Sequence, residues 1–236
     1  MRFFLIYLVL FLYGSSIAQN KSELVISGSF LNTRFYQASK PSGEIKVLSK
    51  STLGFAFGLG IEHQVRKWLY LESGISLSLQ GEDYVIENYP QTSSNCFLPN
   101  QTLHLFVDIS YLKIPFQFKW CYEATKKLSL ILITGAQYSY RVGISDNYQD
   151  LMFCTVLLPE AKRRYENSDW GLIGGIGIKR KLKDYNVKLD LNIFFDWGMK
   201  NIVEYKDPVI WSNTKVINQV WGLHVGAIIP LQKQEL

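Results

Sequence analysis

The segment Tyr111–Trp120 reads YLKIPFQFKW, and its apolar residues fall at every second position. A period of two indicates a β-strand with one apolar and one polar face. The polar face carries Lys113, Gln117 and Lys119, and it also carries Pro115, which cannot donate a backbone hydrogen bond to a neighbouring strand. We therefore expect a bulge or a local break in the sheet at Pro115. The apolar face consists of Leu112, Ile114, Phe116, Phe118 and Trp120.

The same alternation recurs along the chain and predicts eight strands. The segment above lies in a strand at about 103–121, and the others lie at about 23–37, 51–65, 68–86, 127–143, 168–182, 185–200 and 215–230. Short connections near 66–67, 122–126 and 182–184 alternate with long polar loops near 38–50, 82–102, 144–166 and 201–214. Short periplasmic turns and longer extracellular loops are typical of outer-membrane barrels. The pattern predicts an all-β, eight-stranded, antiparallel up-and-down transmembrane barrel with both termini on the periplasmic side.

The first twenty residues read MRFFLIYLVLFLYGSSIAQN and have the three parts of a secretory signal peptide. Arg2 precedes an apolar run from Phe3 to Tyr13, and small residues surround Ala18. The run is shorter than the about 20 apolar residues that a membrane-spanning helix needs. We expect residues 1–18 to be a cleaved signal peptide and residues 19–236 to form the barrel domain.

A soluble eight-stranded barrel, such as a lipocalin, would give the same strand count but the opposite faces. The small residues of the polar face, many of them glycine and serine, suit the narrow lumen of an eight-stranded barrel. The apolar face is bulky, as contact with lipid permits. These features favour the membrane barrel over the soluble one. Aromatic residues near strand ends resemble interfacial girdles: Trp68, Tyr70, Trp120, Tyr138, Tyr140, Trp170, Trp197 and Trp221.

Composition and charge agree with a membrane barrel and argue against a nucleic-acid partner. Charged residues make up 19% of the chain, below the usual about 25%, while aromatic residues make up 14%. The formal net charge is +5, but the basic residues are dispersed and form no continuous stripe.

Alternation directs a set of charged side chains into the lumen. A buried charge is costly unless it is paired and hydrogen-bonded, so we expect an interior salt-bridge network that plugs the barrel. A water-filled pore is the alternative, although eight strands leave little room for one. The predicted network comprises Glu62, Glu72, Lys113, Lys119, Arg141, Lys179, Lys188, Asp190 and Asp196.

The sequence contains few candidates for chemistry, and we expect no catalytic residue, metal site or cofactor. Of its three cysteines, Cys96 and Cys154 can form a disulfide in an oxidising compartment or remain free. A barrel-borne lipid hydrolase would need a serine and an acid beside a histidine. His224 points inward by alternation, and Ser76 or Asp196 are its candidate partners.

Several strands resemble those of the PorT-like outer-membrane β-barrel proteins, a family common in Bacteroidota. YLKIPFQFKW is similar to that family's YLEIPLLLKY strand, and FFDWGMKNIVE resembles its Y-x-x-GLxNI strand. DWGLIGGIGIK and QVWGLHVGAIIP resemble its glycine-rich and closing strands. The resemblance implies a location in the Gram-negative outer membrane, and one member takes part in type IX protein secretion.

These observations favour a non-enzymatic outer-membrane barrel that is a structural or accessory component of an envelope or type IX-like secretion system. A small porin-like channel and a barrel-borne lipid hydrolase are the alternatives. The expected partners are outer-membrane lipid and other envelope or secretion proteins, which would bind the long extracellular loops because binding residues concentrate on loops held by a rigid scaffold.

Overall fold

The computed structural model describes residues 22–37, 46–87, 103–149, 165–182, 186–202 and 216–231. These residues form eight strands that close into a barrel in the order β1 to β8, with every neighbouring pair antiparallel. The predicted fold class is therefore confirmed. The strands are β1 Ser22–Gln37, β2 Lys46–Arg66, β3 Leu69–Glu87, β4 Leu103–Thr125, β5 Leu128–Gln149, β6 Ser168–Lys181, β7 Lys188–Gly198 and β8 Val216–Pro230. The described ranges contain no helix long and apolar enough to cross a membrane.

The barrel presents its apolar face to the outside, as the alternation predicts. On β2, Leu53 is 82% exposed and Phe57 is 69% exposed, whereas Glu62 on the opposite face is fully buried. A row of large exposed apolar side chains on every strand would be unfavourable in water. It is the expected surface of a barrel that lies in hydrocarbon.

Aromatic side chains mark both ends of this outer surface. Trp68 and Trp120 lie near the end that carries the short turns. Trp170, Trp197 and Trp221 lie toward the opposite end, where the Tyr138 and Trp170 rings are 4.9 Å apart. Tyr70 does not join the girdle, contrary to expectation. By alternation along β3, Tyr70 points into the lumen on the same face as Glu72. There it packs against a buried apolar cluster that contains Ile131 and Ile133.

Two strands extend further toward the long-loop end than the apolar alternation indicates. Residues 46–50 of β2 pair with the end of β3, and residues 144–149 of β5 pair with the start of β4. The prediction that these two segments are loops was wrong, whereas the predicted end of the third strand near residue 86 agrees with the end of β3 at Glu87. Beyond the hydrocarbon a ladder needs only its backbone hydrogen bonds, so no apolar face is required and the period-two signal disappears.

The sheet is locally interrupted at Pro115, while its bulge lies elsewhere. β3 and β4 pair at Ser73–Phe116 and again at Ser76–Lys113, so the ladder skips Pro115 without a change of register. The Ser73 hydroxyl donates to the Pro115 carbonyl at 3.0 Å. The predicted local break is present, but the β4–β5 register shifts fall between Ser110 and Tyr111 and between Glu123 and Thr125.

The lumen is more mixed than a purely polar interior. Ile131 and Ile133 of β5 face inward with Cys121 and Ile173, and together they form a small buried apolar cluster. The remaining inward positions are mainly small or charged. Glycines permit close packing at several of these positions, and Gly135 is a clear case, because a Cβ there would overlap the Phe116 carbonyl oxygen and approach Gln117 Cα to 2.9 Å.

We predict that Gly135→Ala destabilises the barrel by about 1–3 kcal/mol, the usual cost of overpacking. Gly174→Ala is the matched control, because Gly174 lies on the adjoining strand and a Cβ there has nothing within 4 Å. Urea unfolding of both variants in lipid vesicles, followed by tryptophan fluorescence, measures the difference. Equal midpoints for the two variants would contradict the packing argument.

Candidate functional site: the charged lumen

A cluster of ion pairs crosses the lumen near the short-turn end. Lys119 of β4 is 1% exposed, and its Nζ lies 2.6 Å from Glu72 Oε2 and 2.7 Å from Asp190 Oδ2. Glu62 Oε2 lies 3.5 Å from the same ammonium. Lys179 Nζ is 2.5 Å from Glu62 Oε1. We call these five residues the lower cluster.

Strand register explains why the acids of this cluster need lysines from other strands. Glu62 lies directly opposite Glu23 on one side and Glu72 on the other, so three carboxylates stand side by side on β1, β2 and β3. Like charges placed directly opposite each other destabilise a sheet. The cations that neutralise them come from β4, β6 and β7, and Lys188 contacts Glu23 at 2.6 Å. The ion pairs therefore tie opposite walls of the barrel together.

The ion pairs are not those that neighbouring positions in the strand ladder suggest. Lys179 stands directly opposite Asp190 in the β6–β7 ladder, yet its ammonium reaches across the lumen to Glu62. Asp190 accepts instead from Lys119 at 2.7 Å. Because β6 and β2 lie on opposite sides of an eight-stranded ring, the Lys179–Glu62 pair spans the full width of the lumen.

A second group of polar residues lies further along the lumen. Lys113 Nζ is 2.7 Å from Asp196 Oδ2, which also accepts from the Gln137 amide. Arg141 is buried and donates to Asn167 Oδ1 at 2.6 Å. Thus all nine predicted network residues face the interior, but the structure divides them between the lower cluster, the Lys188–Glu23 pair and this second group.

Several inward polar residues were not among the predicted site residues. Glu23 and Asp169 are nearly fully buried, and the Asn218 amide donates to Gln80 Oε1 at 2.8 Å. Alternation was the available signal for each, since all four occupy inward-facing positions of their strands. Asn192 is also buried, and both polar atoms of its side chain are without a hydrogen-bond partner within the described part of the chain.

A cavity of about 90 Å³ lies inside the barrel, lined by residues of both charged groups and by Ser27, Ser29 and His224. That volume holds only a few water molecules. Below the cavity, Lys119 and Lys179 are bound across the lumen, so the described side chains close it toward the short-turn end.

His224 contacts a serine, Ser29, and neither Ser76 nor Asp196, the two partners proposed from the sequence. Its Nδ1 lies 3.1 Å from Ser29 Oγ, and its ring meets Phe194 edge-on with centroids 6.4 Å apart. Asp196 is bound by Lys113 and Gln137 instead. Asp190, on the adjoining strand, binds Lys119 through Oδ2, and its Oδ1 accepts no hydrogen bond from any described residue. The Ser29–His224 pair therefore has no orienting acid of the kind a hydrolytic triad uses.

Of the three cysteines, Cys121 is free and buried. Cys96 and Cys154 lie outside the described residues, so their pairing stays a prediction. Within the described ranges, no group of three histidine, cysteine, aspartate or glutamate side chains could hold a metal ion.

A closed antiparallel barrel with a bulky apolar exterior, aromatic girdles and a charged interior defines the class of outer-membrane β-barrel proteins. More particularly, the chain belongs to the family described as outer membrane protein beta-barrel domain, whose model matches residues 17–204. The protein is accordingly an outer-membrane protein. No curated protein matches the chain.

Solved outer-membrane barrels resemble the chain at low sequence identity. Neisserial surface protein A is 12% identical, with 87% of this chain and 96% of that chain covered and a TM-score of 0.46. OprG from Pseudomonas aeruginosa is 10% identical, with 90% and 97% covered and a TM-score of 0.46. The protease OmpT from Escherichia coli is 10% identical, with 90% and 96% covered and a TM-score of 0.40. At these values the likenesses carry no argument about function.

We predict that Lys119→Met lowers the free energy of unfolding by about 3–5 kcal/mol, because it leaves Glu72 and Asp190 as buried charges without their cation. Lys67→Met, in an exposed turn, is the control and should change stability by less than about 0.5 kcal/mol. Urea titration of the refolded proteins in phosphatidylcholine vesicles, which contain no anionic lipid, provides the measurement. A Lys119→Met midpoint equal to that of the control would show that the lower cluster contributes nothing to stability.

Proposed function

We propose that this protein is a non-enzymatic, non-conducting outer-membrane barrel that serves as a structural or accessory component of an envelope or protein-secretion machine. The observation that carries the proposal is the pair of cross-lumen contacts, Lys119 with Asp190 and Lys179 with Glu62. They join β4 to β7 and β6 to β2, so they occupy the space through which a solute would have to pass.

The interior supports a plug rather than a pore. A water-filled channel needs charged side chains that stay hydrated, whereas Lys119, Glu62 and Asp190 are each at most 1% exposed. Their charges are neutralised by one another instead of by water. Eight strands also enclose a lumen only wide enough for side chains to fill.

The link to secretion rests on the resemblance to PorT-like proteins in YLKIPFQFKW and FFDWGMKNIVE. If the lumen is closed, contact with partner proteins falls to the ends of the barrel. We propose that the extracellular segments between β1 and β2, β3 and β4, β5 and β6, and β7 and β8 bind other envelope or secretion proteins.

Residues 1–18 would act as a cleaved export signal, which intact mass measurement of the protein recovered from membranes would test.

We predict that the purified wild-type protein gives no discrete conductance steps in a planar lipid bilayer. A variant in which Glu62, Glu72, Lys119 and Lys179 are all replaced by serine removes two charges of each sign and opens the lower cluster. It should conduct if it folds, which its heat-modifiable mobility on a gel would establish. Regular conductance steps from the wild-type protein would overturn the plug and favour the channel.

A tagged wild-type barrel purified from its native membranes should retain specific envelope proteins, identified by mass spectrometry. An unrelated tagged barrel of similar size from the same membranes is the control for non-specific capture. Recovery of the same proteins with both barrels would remove the support for an accessory role.

The Ser29–His224 contact defines the test of the hydrolase alternative. Without an orienting acid, we expect Ser29 to remain unlabelled by a fluorophosphonate probe in detergent-solubilised protein. Labelling that disappears in both Ser29→Ala and His224→Gln, while Ser76→Ala still reacts, would establish an activated serine and contradict a non-enzymatic role.

A further inference from the structure

The outer surface of the barrel has a step at the end that carries the short turns. The β3–β4 ladder ends at the pair Leu69–Trp120, but β4 continues to Thr125 and pairs with β5 as far as Leu128. The β4–β5 hairpin therefore projects beyond the neighbouring β2–β3 turn. The Cys121 amide donates to the Trp68 carbonyl at 2.8 Å and holds that turn against the base of the hairpin.

An open apolar groove of about 330 Å³ lies in this step. Its side chains are aromatic at the turn and mixed aromatic and aliphatic on the hairpin, and Tyr122 is 72% exposed. Tryptophan and tyrosine concentrate at the boundary between hydrocarbon and headgroups. The groove thus lies at the height where a lipid acyl chain meets its headgroup. Its outward-facing residues are Trp68, Trp120, Tyr122, Leu130 and Leu132.

Exposed basic side chains lie along the short-turn side of the groove. Two lie on the β2–β3 turn, two on the β4–β5 turn and two at the end of β6. In the described part of this arc, Glu123 is the one exposed carboxylate. None of the six is ion-paired with another described residue. They are Arg66, Lys67, Lys126, Lys127, Arg180 and Lys181.

The arc is brought together by strand register. The β2–β3 turn lies beside β4, and the end of β6 lies beside the β5 start, where Leu128 is opposite Arg180. The Lys181 amide donates to the Lys127 carbonyl at 2.9 Å and fixes the β4–β5 turn next to β6. Two short turns and the end of β6, which are distant in sequence, thereby form one basic border beside one apolar groove.

We infer that this groove binds an anionic phospholipid of the periplasmic leaflet. One acyl chain lies in the groove against Trp68 and Leu130, and the phosphate lies among the basic side chains of the two turns. Arginine and lysine side chains bind phosphate groups. Their attraction for anionic lipid is strong within a Debye length of the membrane surface. An acidic protein segment fits the charge, but it fits less well with an apolar groove at membrane height.

The inference is independent of whether the lumen conducts, since every residue involved lies outside the barrel. It depends only on the orientation of the short turns toward the periplasm.

The test uses the full-length mature protein in nanodiscs made from equal parts phosphatidylglycerol and phosphatidylcholine. Lipids that remain bound when the nanodisc is stripped away are identified by native mass spectrometry. We expect the wild-type protein to retain phosphatidylglycerol several-fold over phosphatidylcholine, with a preference that falls as the salt concentration is raised before stripping.

The matched variants each replace one arginine and one lysine by glutamine. Arg66→Gln with Lys67→Gln should abolish the preference, whereas Arg34→Gln with Lys50→Gln, at the opposite end of the barrel, should preserve it. Trp68→Ala should lower retention of both lipids and leave their ratio nearly unchanged, because it removes the apolar contact only.

Equal retention of the two lipids by the wild-type protein would overturn the inference. So would an equal loss of preference in both double variants, since that result indicates a general effect of net charge. All substituted residues are exposed, and an unchanged heat-modifiable gel mobility confirms that each variant is folded.

Discussion

The pairing of β1 with β8, from Glu23–Pro230 to Gln37–Val216, is the constraint on which the other features of this structure depend. In hydrocarbon no water is present to satisfy an unpaired backbone group, so a spanning sheet has to close on itself. Closure leaves two environments, lipid outside and lumen inside, and every strand has to alternate between them. It also explains why Pro115 leaves a local break in the ladder, since a closed sheet has no edge on which to place it. The Ser73 hydroxyl partly compensates by donating to the Pro115 carbonyl.

Closure with only eight strands then determines the chemistry of the lumen. The lumen is only wide enough to be filled by side chains. A wall lined by small residues, such as Gly58 and Gly60 of β2, therefore leaves room for long side chains from the opposite wall. From the opposite wall, Lys179 reaches across the lumen to Glu62. The same contacts that neutralise three neighbouring carboxylates also fill the interior. Stability and closure of the lumen are consequently linked, because the residues that would need to move to open a path are those that hold buried charges in pairs.

The sequence was sufficient for the strands and their two faces, because both follow from the period-two pattern. The same pattern was sufficient to predict that the charged side chains point into the lumen. The sequence was insufficient to predict which charged side chains form ion pairs. The neighbour of Lys179 in the ladder is Asp190, but its ion-pair partner is Glu62. Contacts across a lumen depend on side-chain length and on which wall is lined by glycine, and neither leaves a periodic signal. Strand extensions beyond the membrane were missed because polar ladders lack an apolar face.

A filled lumen moves the question of function to the two ends of the barrel. At the short-turn end, the described residues are charged unevenly around the circumference, with the exposed basic side chains collected on the turns between β2 and β6. Within the described residues, these side chains form no ion pair that would hold them in this arrangement. Repulsion among them is relieved by an external anion, and the leaflet that surrounds them supplies anions at the same height as Trp68 and Trp120. The uneven rim thus provides a physical reason for the barrel to take a preferred lipid on one side and to leave its other side for protein contact.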